Sequence, residues 1–121
     1  GLTEAEARKK HGKALEVVRA EFAHNDRAVA EGKTKGLVKV MIVKGRPVGA
    51  SIVGPLAGEL IGTWAMAIAN NMKMSAIAGT VLPYPTLGEV NKRAASAYFS
   101  PRLFESDTVK RVVRLVQKYL P

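Results

Sequence analysis

Residues 45–68 read Gly45-Arg46-Pro47-Val48-Gly49-Ala50-Ser51-Ile52-Val53-Gly54-Pro55-Leu56-Ala57-Gly58-Glu59-Leu60-Ile61-Gly62-Thr63-Trp64-Ala65-Met66-Ala67-Ile68. The run Val48 to Val53 is rich in β-branched residues and short, as a strand is. Past Gly54-Pro55 the period changes: Leu60, Ile61, Trp64, Ala65 and Ile68 recur at spacings of three and four, which makes one apolar face of a helix from Leu56 to Asn71. The small residues Gly58, Gly62, Ala65 and Ala69 on that helix offer close approach to another backbone. A strand that turns into a helix within so few residues sets a mixed architecture.

Working back from this stretch, Leu37 to Val43 is a second β-rich run, and Lys44-Gly45-Arg46-Pro47 supplies the glycine and proline of a tight connection. The two runs are expected to pair as an antiparallel hairpin, with Leu37–Val43 buried on both faces because its apolar character is nearly continuous. Ala14 to Phe22 reads as a further strand. Before it, Thr3 and Glu6 have capping-box spacing and open a short helix that Gly12 ends. Asn25 to Gly32 is polar and reads as a turn of helix or a loop.

Working forward, Met74 to Thr80 reads as a short helix with Ser75 near its cap. Thr86-Leu87-Gly88-Glu89 is a second capping-box pattern, from which a helix should run from about Leu87 to Tyr98. Between Ser106 and Leu120, the residues Val109, Val112, Val113, Val116 and Leu120 share one face, while Lys110, Arg111, Arg114 and Lys118 fall largely on the others. Residues 106–121 are thus expected to form a basic amphipathic helix docked on the body. The fold class is α+β: an antiparallel sheet of about three to four strands packed with helices.

The chain has 121 residues, which suits a single domain over residues 1–121 with a real core. It contains no cysteine, which excludes disulfides, thiolate metal sites and a cysteine nucleophile within it. His11 and His24 lack a second imidazole or a carboxylate cluster at ligand spacing, so no metal site is expected. No serine stands in a Gly-x-Ser-x-Gly elbow. The turn Gly54-Pro55-Leu56-Ala57-Gly58-Glu59 lacks the ending of a phosphate-binding loop, and its glycines are read as allowing tight strand-to-helix packing. The N-terminus is charged and helical in pattern instead of apolar, and the uncharged pieces of 47–72 fall short of a membrane span. The expected location is the cytoplasm.

Nineteen Lys and Arg against ten Asp and Glu give a formal charge of +9. Such a balance suits nucleic acid, anionic lipid or an acidic partner. The charges are scattered, however, and one Trp, three Tyr and three Phe form no base-stacking motif. A freestanding basic module for nucleic acid or anionic membrane is kept as the alternative function, with the C-terminal helix as its best feature.

The residues Leu82-Pro83-Tyr84-Pro85-Thr86-Leu87-Gly88-Glu89-Val90 place a tyrosine between two prolines, ahead of a helix. Proline fixes its own φ and restricts the residue before it, so Tyr84 is held in an extended or turn conformation. Together with Gly45–Ile68, the stretch Leu82–Ala95 resembles the C-terminal dimerisation domain of the FAD-dependent pyridine nucleotide-disulfide oxidoreductases, the family of dihydrolipoamide dehydrogenase, glutathione reductase and mercuric reductase. The resemblance covers roughly Leu2 to Phe99.

In that family the motif is His-Pro-Thr-x-x-Glu, whose histidine reaches the flavin and redox-active dithiol of the other subunit while the glutamate orients it. Pro85, Thr86 and Glu89 fall on the motif, and Tyr84 takes the histidine position. With an unperturbed pKa of about 10, a tyrosine donates a hydrogen bond but is a poor resting base. Mercuric reductases resemble the chain here in carrying a tyrosine after a proline, although their C-terminal cysteine pair is absent.

The resemblance implies that the chain is the homodimerisation domain of a longer flavoenzyme of this mercuric-reductase-like kind. The parent would use FAD and NAD(P)H, with neither bound by this chain alone, and the isolated chain would be inactive. Tyr84 and Glu89 are implied as catalytic residues, and Tyr84 and Pro85 as contacts to the partner subunit's flavin. Ile61, Trp64, Ala65, Ile68, Pro85 and Thr86 are implied at the dimer interface. The family's cis peptide is expected at Tyr84-Pro85.

Overall fold

The computed structural model describes residues 1–105 and 107–119. Its elements in chain order are α1 (Glu4–His11), β1 (Leu15–Glu21), α2 (Asp26–Ala30), β2 (Leu37–Val43), β3 (Arg46–Val53), α3 (Ala57–Ala69), α4 (Met74–Ala78), α5 (Glu89–Glu105) and α6 (Asp107–Tyr119). The three strands form one antiparallel sheet in the order β1-β2-β3. This is the α+β class expected, with the strand number at the lower end of the range.

The hairpin turn is tighter than the sequence suggests. Lys44 and Gly45, both at positive φ, make a two-residue connection whose twist suits the strands it joins. Arg46 and Pro47 therefore belong to β3, so the strand starts two residues before Val48. Pro47 is tolerated because β3 is an edge strand, which has one side free of ladder bonds. The register skips Val48, since Met41 opposes Gly49 while Ile42 opposes Pro47. Val48 is thus the extra residue of a bulge, and its carbonyl accepts from the Leu2 N–H at 2.9 Å.

β2 is covered on both faces, as its apolar run demands. Val38, Val40 and Ile42 point into the main core, with Phe22, Leu60, Trp64, Met74, Val90 and Ala94 from the surrounding elements. On the opposite face Met41 packs with Leu15 and with Ala7 of α1. α1 is held by the expected capping box: the Glu6 N–H donates to Thr3 Oγ1 and the Thr3 N–H to Glu6 Oε1, each at 3.2 Å.

Three helix readings are corrected. Lys73 precedes α4 as its N-cap and Ser75 lies inside the helix, so no side chain caps it. α5 starts at Glu89, two residues after the expected Leu87, and continues beyond Tyr98 through Pro101 to Glu105. α6 is not docked on the body: Val112, Val113 and Val116 of its apolar face are exposed. Of the residues read into that last helix, Ser106, Leu120, Pro121 and the side chains of Asp107, Thr108 and Val109 lie outside the described residues.

Gly54 shows why the strand-to-helix junction needs glycine. A Cβ there would come within 2.7 Å of the Phe22 ring, and its φ of +151° already disfavours other residues. Packing against Phe22 accounts for Gly54 without a phosphate, in line with the sequence reading, whereas Gly58 of the same turn has open space where a Cβ would stand and is not explained by close packing.

Candidate functional site

The segment between α4 and α5 reaches the surface beside α2. Asn25, almost fully buried, is the residue that fixes this juxtaposition. Its Oδ1 accepts from the Ala28 N–H at 2.9 Å, capping α2, and its Nδ2 donates to the Thr86 carbonyl at 3.1 Å. One amide therefore satisfies an orphan donor of a helix and ties down the Pro-Thr segment. Arg93 adds a second tie by donating from Nη1 to the His24 carbonyl at 3.1 Å.

These ties place Asp26 next to Tyr84. The Tyr84 hydroxyl donates to Asp26 Oδ2 at 2.6 Å, a charge-assisted bond, while the residue itself remains 70% exposed. The Tyr84-Pro85 bond is cis, as expected. His24, Asn25, Asp26, Tyr84, Glu89, Lys92 and Arg93 line a cleft of about 270 Å³.

The Asp26 carboxylate raises the pKa of Tyr84, first by accepting its hydrogen bond and then by its charge, with smaller contributions from burial and Glu89. A phenol already protonated at neutral pH is thereby held more firmly so. With its one hydrogen given to Asp26, the hydroxyl oxygen can accept a hydrogen bond from a ligand, and its ring offers an exposed flat face. It cannot serve as a resting base.

Glu89 lines the same cleft, but its bond goes elsewhere. Its Oε2 accepts from the Thr86 N–H at 3.4 Å, which is one half of a capping box. The other half is missing: the Glu89 N–H donates to the Thr86 carbonyl at 3.4 Å instead of to its hydroxyl, which itself donates to the Pro83 carbonyl at 2.8 Å. The carboxylate that holds the side chain at position 84 is Asp26, within the polar stretch Asn25 to Gly32. Asn25-Asp26 ahead of Arg-Ala-Val-Ala does carry a helix-start signal, an N-cap followed by an acid. Nothing local, though, ties it to a tyrosine 58 residues away.

Among the interface residues named from the sequence, Trp64 is withdrawn. It is fully buried, and its indole N–H donates to Asn91 Oδ1 at 2.8 Å. Asn91, itself buried, also donates from Nδ2 to the Leu60 carbonyl at 3.0 Å and so pins α5 to α3. The open face of α3 carries Gly58, Gly62, Ala65, Met66 and Ala69, while Ile61 and Ile68 are half-buried at its margins. Pro85 is exposed and Thr86 half-buried. Among the described residues no group of three His, Asp or Glu side chains could hold a metal ion.

A three-stranded antiparallel sheet with helices on both faces, followed by a surface Pro-Thr-x-x-Glu segment, is the fold of an interface domain found in flavoprotein disulfide reductases. The HOCl-induced flavoprotein disulfide reductase of Escherichia coli superposes with a TM-score of 0.73 at 26% identity, over 79% of this chain and 22% of that one. Residues 1–95 match the pyridine nucleotide-disulphide oxidoreductase dimerisation domain, and the chain belongs to that family.

It is 37% identical over 97 residues to dihydrolipoyl dehydrogenase of Bacillus subtilis, across 78% of this chain and 20% of that protein. It is 40% identical over 74 residues to mercuric reductase of Acidithiobacillus ferrooxidans, across 60% of this chain and 14% of that protein. The match thus spans no more than about a fifth of the length of these relatives.

Proposed function

We propose that this domain is the C-terminal part of an FAD-dependent NAD(P)H:disulfide oxidoreductase of mercuric-reductase-like kind, that it pairs with a second copy of itself, and that it presents Tyr84 and Glu89 to the partner subunit's flavin and redox-disulfide site. The observation that carries the reading is Tyr84: the position of the family motif's histidine holds an exposed phenol, anchored to Asp26 beside an open cleft.

The chain fits a role at the edge of the flavin better than a role in holding it. Its one strand-to-helix glycine turn is filled by the Phe22 ring, so no dinucleotide cradle is left there. FAD, bound by the other domains of the parent, would supply the hydride chemistry. With its one hydroxyl hydrogen held by Asp26, Tyr84 would turn its ring and its hydroxyl oxygen, as an acceptor, toward the interface, and Pro85 would keep the backbone close to the partner. Ile61, Ala65, Ile68, Pro85 and Thr86 are the proposed interface residues, with the small open face of α3 allowing the two copies to approach. A twofold interface is self-complementary, so losing it removes both sites together.

The test has two stages. The coding sequence upstream of Gly1, read in frame, should encode a Gly-x-Gly-x-x-Gly after a strand pattern and a Cys-x4-Cys pair; a start codon there would overturn the reading. In the parent enzyme Tyr84→Phe should lower kcat while leaving the dimer intact by sedimentation. Unchanged activity would reduce the domain to a purely structural module.

A further inference from the structure

The last helix presents an apolar face that its own domain does not cover. α6 carries the cations Lys110, Arg111, Arg114 and Lys118 and the single carboxylate Asp107. At about 100° of rotation per residue the four cations fall within an arc of about 100°. Val112, Val113, Leu115, Val116 and Tyr119 occupy about 160° on the other side. Every side chain from 110 to 119 is exposed, Val112 at 54%, Leu115 at 56% and Val116 at 48%. Val112, Val113, Leu115 and Val116 thus stand half open to water along one face of one helix, whereas the core valines Val38, Val40 and Val90 are fully enclosed.

Charge decides what should cover it. No carboxylate occurs from 108 to 119, so nothing in that stretch would pair with a basic partner or offset the helix's own cations. A second copy of the chain brings another +9. The complementary surface is anionic and apolar at once. A lipid bilayer with acidic headgroups offers both, and a fluid acyl layer accepts a valine face of any shape. Tyr119 closes the apolar face with Lys118 Nζ 5.6 Å from its ring centroid, a cation and an amphipathic ring at one level, as suits a headgroup boundary. The helix has 13 residues, about 20 Å, and no helix among the described residues is long and apolar enough to cross a membrane. It can lie on a bilayer and not span one.

We propose that α6 is an interfacial anchor that lies in the plane of an anionic lipid bilayer, with Val112, Leu115, Val116 and Tyr119 in the acyl boundary and the four cations at the level of the headgroup phosphates. This goes beyond the redox reading and does not depend on it, since it concerns α6 alone.

The test is co-sedimentation of the 121-residue chain with vesicles of phosphatidylcholine alone and of phosphatidylcholine mixed with phosphatidylglycerol. Binding is expected to the mixed vesicles and to weaken with salt. Each cation removed should lower partitioning about five-fold, so replacing Lys110, Arg111, Arg114 and Lys118 together by Gln should lower it by about two orders of magnitude or more. Val112→Ser with Val116→Ser should lower it by about ten-fold or more. Both variants should keep the Tm of the parent chain, because these side chains pack against no core.

Three results would overturn the proposal. The chain could remain in the supernatant with both vesicle types. The serine variant could bind as tightly as the original, which would assign the attraction to the general +9 charge. Sedimentation velocity without lipid could show self-association that the serine variant abolishes, which would make a second copy the occupant.

Discussion

Replacing Asn25 by Ala removes one side chain and two separate ties. The first is the cap on α2, in which Oδ1 accepts from the Ala28 N–H; substitutions of this kind cost about 1 kcal/mol. The second is the donation to the Thr86 carbonyl, a buried-to-half-buried bond contributing about 1 kcal/mol net. The expected loss is about 2 kcal/mol, which for a urea slope of about 2 kcal/mol/M lowers the unfolding midpoint by about 1 M. Trp64, the single tryptophan and fully buried, reports the transition by fluorescence. Asn25→Ser should recover about half of the loss, because serine caps the helix but has no reach to Thr86. Asn25→Asp keeps the cap and turns a carboxylate oxygen toward the Thr86 carbonyl, so it should fall at or below the serine variant. A midpoint for the alanine variant within about 0.2 M of the original would refute the reasoning, given that slope. So would a serine variant as unstable as alanine, since the cap would then be contributing nothing.

Other outcomes follow from the geometry. Tyr84 should ionise, by its absorbance near the ultraviolet tyrosinate band, above the ordinary value of 10, and Asp26→Asn should bring it back toward that value. Because the folded value is the higher one, the Tyr84–Asp26 pairing stabilises the fold fully below about pH 10 and fades as pH rises through the folded pKa. Glu4 behaves in the opposite sense. Hydrogen bonds from Lys39 at 3.1 Å and Arg8 at 3.2 Å, with Arg19 at 3.5 Å, hold it below its ordinary 4.5. Its contribution is present above that value and is lost as pH falls through the lowered one, so Glu4→Gln should flatten the acid side of a stability profile measured by urea titration. Gly62→Ala, in the interior of α3 with open space around it, should raise the stability of the isolated chain by about 1 kcal/mol in the same urea assay. In the parent the same change should weaken dimerisation, and a dimer of unaltered strength by sedimentation would remove α3's open face from the interface.

Most of the secondary structure was legible because it is written in local periods. The Leu37–Val43 run announced a strand covered twice, and Thr3 with Glu6 announced the start of α1, since each signal acts within a few residues. What was not legible is tertiary. Trp64 belongs to the same helical face whether that face meets its own sheet or a second subunit, and only its bond to Asn91 decides for the core. In the same way, a glutamate three residues after Thr86 fits both a capping box and an orienting carboxylate. The contact that holds Tyr84 comes instead from Asp26 on another element. The last helix showed its amphipathic pattern plainly, but a pattern names a face and not its cover; docking on the body was the ordinary expectation, and the exposed valines correct it.

The short tether between Leu2 and Val48 has a bearing on how this sheet meets other sheets. β3 is an edge strand whose outward backbone groups could template a further strand, and its last residue, Val53, leaves its side chain 70% exposed. At the bulge, the Leu2 N–H occupies the Val48 carbonyl, and the Leu2 backbone lies so close to Gly49 that no side chain would fit there. Leu2 thus covers the Val48–Gly49 stretch of that edge. Trimming Gly1 and Leu2 would uncover an adhesive border, and the shortened domain should gain a tendency to form intermolecular β-structure that the longer one suppresses.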